Sequence, residues 1–82
     1  MPYIRAHIRF NTTTDAKSFV SQINADGTTD KYIIEDVDGV QRADARSILG
    51  VIYALSEYGD NTYLVNMTRN GVFPSFVDAY RA

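Results

Sequence analysis

The 82-residue chain offers few side chains that could carry covalent chemistry. It has one histidine, His7, and no cysteine. An imidazole can accept a phosphoryl group, and a thiolate can attack a carbonyl or bind zinc. Without cysteine, disulfides, thiolate metal sites and cysteine nucleophiles drop out together, as expected of a cytoplasmic protein. A metal site would rest on His7 and carboxylates alone. The hydroxyls are better placed. Thr12, Thr13 and Thr14 form a run just ahead of Asp15. With Lys17 one turn on, they could hold an anion at a helix N-terminus. Ser47 heads an apolar-periodic stretch, where its hydroxyl would cap a helix. A phosphate there would also be electrostatically favoured. Asp44 and the pair Asp36 and Asp38 read as turn residues, and no two carboxylates are spaced for acid–base work. There is no phosphate-binding loop, dinucleotide fingerprint, HExxH, GxSxG or EF-hand loop. The sequence therefore predicts no catalytic residue, no metal and no cofactor.

The elements that must position these groups follow from periodicity. At 9.2 kDa the chain predicts a single domain over residues 1–82, burying roughly 63% of its extended surface. Eight basic and ten acidic residues leave a net charge of −2, which disfavours nucleic acid and anionic membranes as partners. No apolar run approaches the roughly 20 residues of a membrane span, and the first residues do not resemble a signal peptide. Turn signals fall at residues 11–14, 26–30, 38–39, 57–61 and 70–71. Residues 3–10 alternate, with Ile4, Ala6, Ile8 and Phe10 on one face and Tyr3, Arg5, His7 and Arg9 on the other. That is a half-buried strand. Ala16, Phe19, Val20 and Ile23 sit at helical spacing and predict a helix of about ten residues. Asp38-Gly39 predicts a tight antiparallel hairpin between residues 32–36 and 40–43. Ile48, Val51, Ile52 and Leu55 repeat the helical spacing behind Ser47, with Gly50 marking close packing or a short helix. Residues 62–67 form a strand. Phe73, Phe76, Val77 and Tyr80 predict a last helix with Pro74 in its first turn. The result is an α+β fold: a β-α-β-β-α-β-α open-faced, two-layer sandwich, with a four-stranded antiparallel sheet and three helices on one face. Its expected core is Ile4, Ile8, Phe19, Val20, Ile23, Ile34, Ile52, Leu55 and Val65.

That order, at this length, resembles the histidine-containing phosphocarrier family of the bacterial sugar phosphotransferase system, HPr. Arg46-Ser47-Ile48-Leu49-Gly50-Val51 is similar to the family's lysine-serine-isoleucine-methionine-glycine-valine segment, which opens its short second helix. Gly59-Asp60 and the following strand line up without a gap, and Asp38-Gly39 falls in the family's hairpin between strands two and three. The resemblance runs from about Tyr3 to Val77. One departure is decisive for chemistry. The family's phosphoryl-carrying histidine opens the first helix, followed by alanine, arginine and proline. Alignment on Ala16 places Thr12 where that histidine belongs and Thr14 where the arginine belongs. His7 lies mid-strand on the opposite face. A threonine hydroxyl is not nucleophilic without an adjacent base, so the carrier reaction is expected to be absent.

What remains is a non-catalytic, HPr-like regulatory or protein-binding domain. The resemblance implies that Ser47 is the target of a dedicated serine kinase, and that Ile48 and Leu49 belong to an exposed apolar docking patch. Independently, Ile48 and Leu49 lie about 100° apart on a helix and cannot both face the core. The expected docking residues are Lys17, Ser47, Ile48 and Leu49. The partner would be a protein: a phosphotransferase component, a serine kinase or a transcription regulator. Both helices are expected to start at one end, setting Ser47 beside the possible anion corner of Thr12, Thr13 and Thr14. Two alternatives stay open: a phosphocarrier using another acceptor, and an unrelated module binding nucleic acid on the Tyr3–Arg5–His7–Arg9 face.

Overall fold

The computed structural model describes residues 3–27, 29–68 and 71–82. Thr28 and Asn70, within two of the expected turns, lie outside the described residues. Seven elements follow in order: β1 (Ile4–Ile8), α1 (Thr13–Ala25), β2 (Tyr32–Glu35), β3 (Arg42–Asp44), α2 (Ile48–Tyr58), β4 (Thr62–Asn66) and a C-terminal 3-10 helix (Ser75–Tyr80). The strands form one antiparallel sheet in the order β1-β4-β2-β3. The coarse expectation of an α+β fold with an open four-stranded antiparallel sheet and three helices therefore holds.

Alternation in β1 turns Ala6 and Ile8 toward the helices, where both are buried. Register carries the same face across Leu64 on β4 and Ile34 on β2. Ala16, Phe19, Val20 and Ile23 of α1 close over this layer with Val51, Ala54 and Tyr58 of α2. Phe19 is its centre. Its ring meets Phe10, Phe76 and Tyr80 edge-to-face at centroid distances of 5.1, 6.1 and 5.1 Å, the preferred aromatic geometry.

The structure corrects several details. Val65 is buried, but on the open face of the sheet beside Ile33, because Leu64 takes the helix-facing position of β4. A one-residue difference in phase moves a whole strand's side chains to the other face. Ile4, Ile52 and Leu55 are only half-buried. Rotation of α2 gives the inner stripe to Val51, Ala54 and Tyr58 instead. The hairpin is not the two-residue type. Glu35 pairs with Arg42, and Asp36 N–H donates to Gln41 O at 3.1 Å across a four-residue loop. Asp36 stabilises that loop with its carboxylate, which accepts from Val40 and Gln41 N–H at 2.9 and 3.4 Å. Gly39, at φ +71, supplies the left-handed turn residue. The last helix is a 3-10 helix, with Pro74 as its N-cap rather than in its first turn.

Behind that 3-10 helix the chain returns to β1. Arg9 N–H donates to Tyr80 O at 2.7 Å, and Ala82 N–H to His7 O at 3.0 Å. Part of the β1 edge is thereby covered, a feature without a sequence signal.

Phe19→Ala removes the ring that three other aromatic side chains contact. It should cost about 3–5 kcal/mol, a large share of the stability of so small a domain. Chemical denaturation measures it; a change below about 1 kcal/mol would mean that the aromatic cluster does not hold the two layers together.

Candidate functional site

Ser47 sits where β3 gives way to α2, and Arg46 before it determines that position. Helix α1 has no basic residue in its own last turn. Arg46 supplies one from outside, donating from Nη1 to Ile23 O at 3.2 Å and from Nη2 to Asp30 O at 2.9 Å. A cation at helix C-terminal carbonyls is favourable through both hydrogen bonding and the helix dipole. The Arg46 guanidinium also lies 5.4 Å from the centre of the Tyr32 ring. Its backbone is fixed as well, donating to Asp44 Oδ1 at 2.9 Å and accepting from Asn24 Nδ2 at 3.2 Å.

This arrangement overturns one expectation. Ser47 stands beside the C-terminus of α1, whereas Thr12, Thr13 and Thr14 stand at its N-terminus. The two corners are separated by about 16 Å, the rise of eleven helical residues. The reason is topological. β3 runs back past Ile33, next to Asp44, and delivers α2 at the level where α1 has ended.

Ser47 is the N-cap of α2, its Oγ accepting from Gly50 N–H at 3.2 Å. A Cβ on Gly50 would meet Asp44 O at 3.0 Å, so glycine here serves the close approach of helix and strand. Beyond the cap, Ile48 is 45% and Leu49 80% exposed. Tyr53, one turn beyond Leu49, is 50% exposed and extends the same outer face. The sequence reading missed Tyr53, although its i, i+4 spacing from Leu49 was visible. Lys17 is exposed on α1, where it lines a polar groove with Thr14, Ser18, Ser21, Gln22 and Tyr80. It lies two helical turns from Asn24, which contacts Arg46, and so about 10 Å along α1 from the level of Ser47.

The threonine corner is occupied by the protein's own groups. Thr12 Oγ1 accepts from Asp15 N–H at 3.1 Å, and the Asp15 carboxylate accepts from Asn11 N–H at 3.2 Å. The carboxylate already complements the helix dipole and repels a second anion. Thr12, Thr13 and Thr14 are exposed, with Thr12 serving as a cap.

The open sheet face is a closed circuit of charge. Glu35, 8% exposed at its side chain, pairs with Arg5 Nε at 2.8 Å and with Arg42 Nε at 3.6 Å. Arg5 also donates to the Asp36 and Val37 carbonyls. Tyr63 carries the Arg5 guanidinium 3.8 Å from its centre, and the His7 ring stacks on it at 4.7 Å. His7 Nε2 is further engaged with Asp60 O, and Arg9 pairs with Asp60 at 3.5 Å. Among the described residues no group of three His, Cys, Asp or Glu could hold a metal ion, and no helix is long and apolar enough to cross a membrane. Tyr58 is buried in the core cluster with its ring edge-on to Tyr53 at 6.1 Å, and its hydroxyl has no hydrogen-bond partner among the described residues. Burial pushes its pKa up, aided by Tyr53, Asp36 and Glu57.

Ser47→Ala should cost about 1 kcal/mol by exposing the Gly50 N–H, whereas Ser47→Asp should retain stability because aspartate caps equally well. Paired thermal melts check this. Equal loss in both variants would mean that the cap is not what Ser47 contributes.

No protein family, no curated protein and no solved structure matches the chain.

Proposed function

We propose that the chain is a non-catalytic, HPr-like protein-binding domain, cytoplasmic and bacterial, that docks a partner on the outer face of α2. One observation carries this reading. Helix α2 satisfies the core with Val51, Ala54 and Tyr58, yet it presents Ile48, Leu49 and Tyr53 to solvent. An 11-residue surface helix that is apolar on both sides has a second face to cover.

Three features support the HPr-like reading. The element order is the one that the resemblance implies. The Arg46–Val51 segment opens α2 with its serine as the cap. Thr12, at the place of the family's histidine, has its side chain engaged as a cap. The partner belongs to the classes that the resemblance implies: a phosphotransferase component, a serine kinase or a transcription regulator. Phosphate at Ser47 would add about −1.5 to −2 charge at the rim of the apolar face. It would suit the helix N-terminus while changing which partner fits by charge. The open face gives little to the nucleic-acid alternative, since Arg5, Arg9 and Arg42 each pair with a carboxylate.

The test uses the family's own enzymes. Incubation with enzyme I and phosphoenolpyruvate should add no phosphate by mass. Incubation with ATP and the family's serine kinase should add one, lost in Ser47→Ala. An acid-labile phosphate on His7 would establish a carrier instead, and no transfer to Ser47 would remove the regulatory half of the reading.

A further inference from the structure

The outer stripe of α2 changes character along its length. Leu49, Tyr53 and Glu57 follow at four-residue spacing, so the stripe is apolar at its start and acidic at its end. The helix begins against Asp44, where Gly50 packs on the strand, and lies over β3 and β2. It turns back along β3, and at 1.5 Å per residue it carries Glu57 about 10 Å beyond Gly50. That is the level of the loop from Asp36 to Gln41. Arg5 holds this loop in place, donating from Nη2 to Asp36 O and Val37 O at 3.0 and 2.8 Å. Asp36 from the loop and Glu57 from the helix both act on the Tyr58 hydroxyl, whose pKa is raised first by burial, then by Tyr53 and these two carboxylates.

The charge of this end of the molecule is one-sided. Residues 36–41 and 47–62 hold four acidic side chains, Asp36, Asp38, Glu57 and Asp60, and no basic one. Val37 and Val40 are exposed on the loop, as Leu49 and Tyr53 are on the helix. The two arginines between these segments are engaged elsewhere, Arg42 with Glu35 and Arg46 with the carbonyls of Ile23 and Asp30. Glu35, Asp60 and Asp78 each pair with an arginine, whereas Asp38 and Glu57 have no ion-pair partner among the described residues.

We infer that the partner on α2 presents a basic amphipathic helix, with its apolar stripe on Leu49 and Tyr53 and its lysines or arginines over Asp38 and Glu57. The inference rests on the reading of α2 as a docking surface and names the chemistry of the occupant. Leu49 and Tyr53 lie about 6 Å apart along the axis, a spacing that apolar side chains at i, i+3 and i+4 of a facing helix can cover. An acidic partner would set like charges together at the rim. A wholly apolar one would desolvate Asp38 and Glu57 without pairing them. The carboxylates thus select the partner, while the apolar contact holds it. A phosphate on Ser47 would add negative charge at the first turn of the same helix and favour the same class of partner.

Two labelled peptides of about 18 residues, five helical turns, test the proposal with the wild-type chain. Both carry leucine at i, i+3, i+4 and i+7 spacing. The remaining positions are lysine and alanine in one, glutamate and alanine in the other. Fluorescence anisotropy should show the lysine peptide binding about tenfold more tightly or better. Asp38→Asn combined with Glu57→Gln should weaken it about fivefold, and added salt should act in the same direction. Asp26→Asn combined with Asp78→Asn, an equal change in net charge on α1 and the 3-10 helix, should have little effect. Leu49→Gln, which keeps the charge, should weaken both peptides. Circular dichroism should be unchanged in every variant. Equal binding of the two peptides, or preference for the glutamate peptide, with loss in Leu49→Gln, overturns the basic partner and leaves the docking face standing. A lysine peptide that ignores Leu49→Gln, or that loses as much in the Asp26 and Asp78 variant, reports general attraction to charge and overturns the proposal. Binding of neither peptide overturns it too. An apolar fluorescent dye then separates the two readings: loss of dye binding in Leu49→Gln keeps the docking face, and indifference to that substitution refutes both.

Discussion

The placement of α2 depends on one guanidinium. Arg46 donates to Ile23 O at the end of α1 and to Asp30 O just before β2. It therefore joins one helix terminus, the approach to a central strand and the start of the second helix. Hydrogen bonds from a charged donor are worth about 1.5–3 kcal/mol each, more than neutral ones. Their loss here would also leave the carbonyls of α1 without a cationic partner. Because the residue that makes these bonds immediately precedes Ser47, the cap and the apolar residues behind it inherit a fixed position. Gly50 completes the constraint by letting the helix approach Asp44 O. With α2 held in this way, its inner stripe meets the core and its outer stripe has nowhere to go but solvent.

The molecule's two exposed faces differ in kind. The open sheet face has already satisfied its charges. Glu35 lies beneath two arginines, and Tyr63 is covered by Arg5 and His7. Bringing a ligand there would mean breaking partly buried ion pairs, whose separated charges are costly. The face of α2 has made no such internal arrangements. Leu49 at 80% exposure has apolar surface to bury and little to give up in burying it. That contrast, rather than the row of positive residues conspicuous in the sequence, directs attention to α2.

Much of the architecture was legible because it rests on local periods. The alternation of β1 and the stripes of α1 and α2 predict their elements, and Thr12 and Ser47 act as the caps that their types suggest. Errors arose where a choice depends on partners distant in sequence. Val65 and Leu64 are both apolar, and only pairing with β1 and β2 decides which faces the helices. Ile52 and Val51 compete in the same way for the inner stripe of α2. The hairpin reading rested on Asp38-Gly39 alone, while the loop length is set by the Asp36 carboxylate bonding Val40 and Gln41. The relative placement of Ser47 and the threonines was missed for a stronger reason. It follows from the strand order β1-β4-β2-β3, which no local pattern encodes. Of the candidate docking residues, Ser47, Ile48 and Leu49 stand together; Lys17 and the threonines belong to other parts of α1.

The most direct measurement is relaxation of the Leu49 methyl groups by a soluble paramagnetic probe, followed by NMR in dilute solution. Val51 and Leu64, both fully buried, provide the internal reference. In dilute solution the Leu49 methyls should relax strongly while those of Val51 and Leu64 do not. Leu49 methyls as protected as those of Val51 in dilute solution would contradict the exposure of α2 and the account built on it.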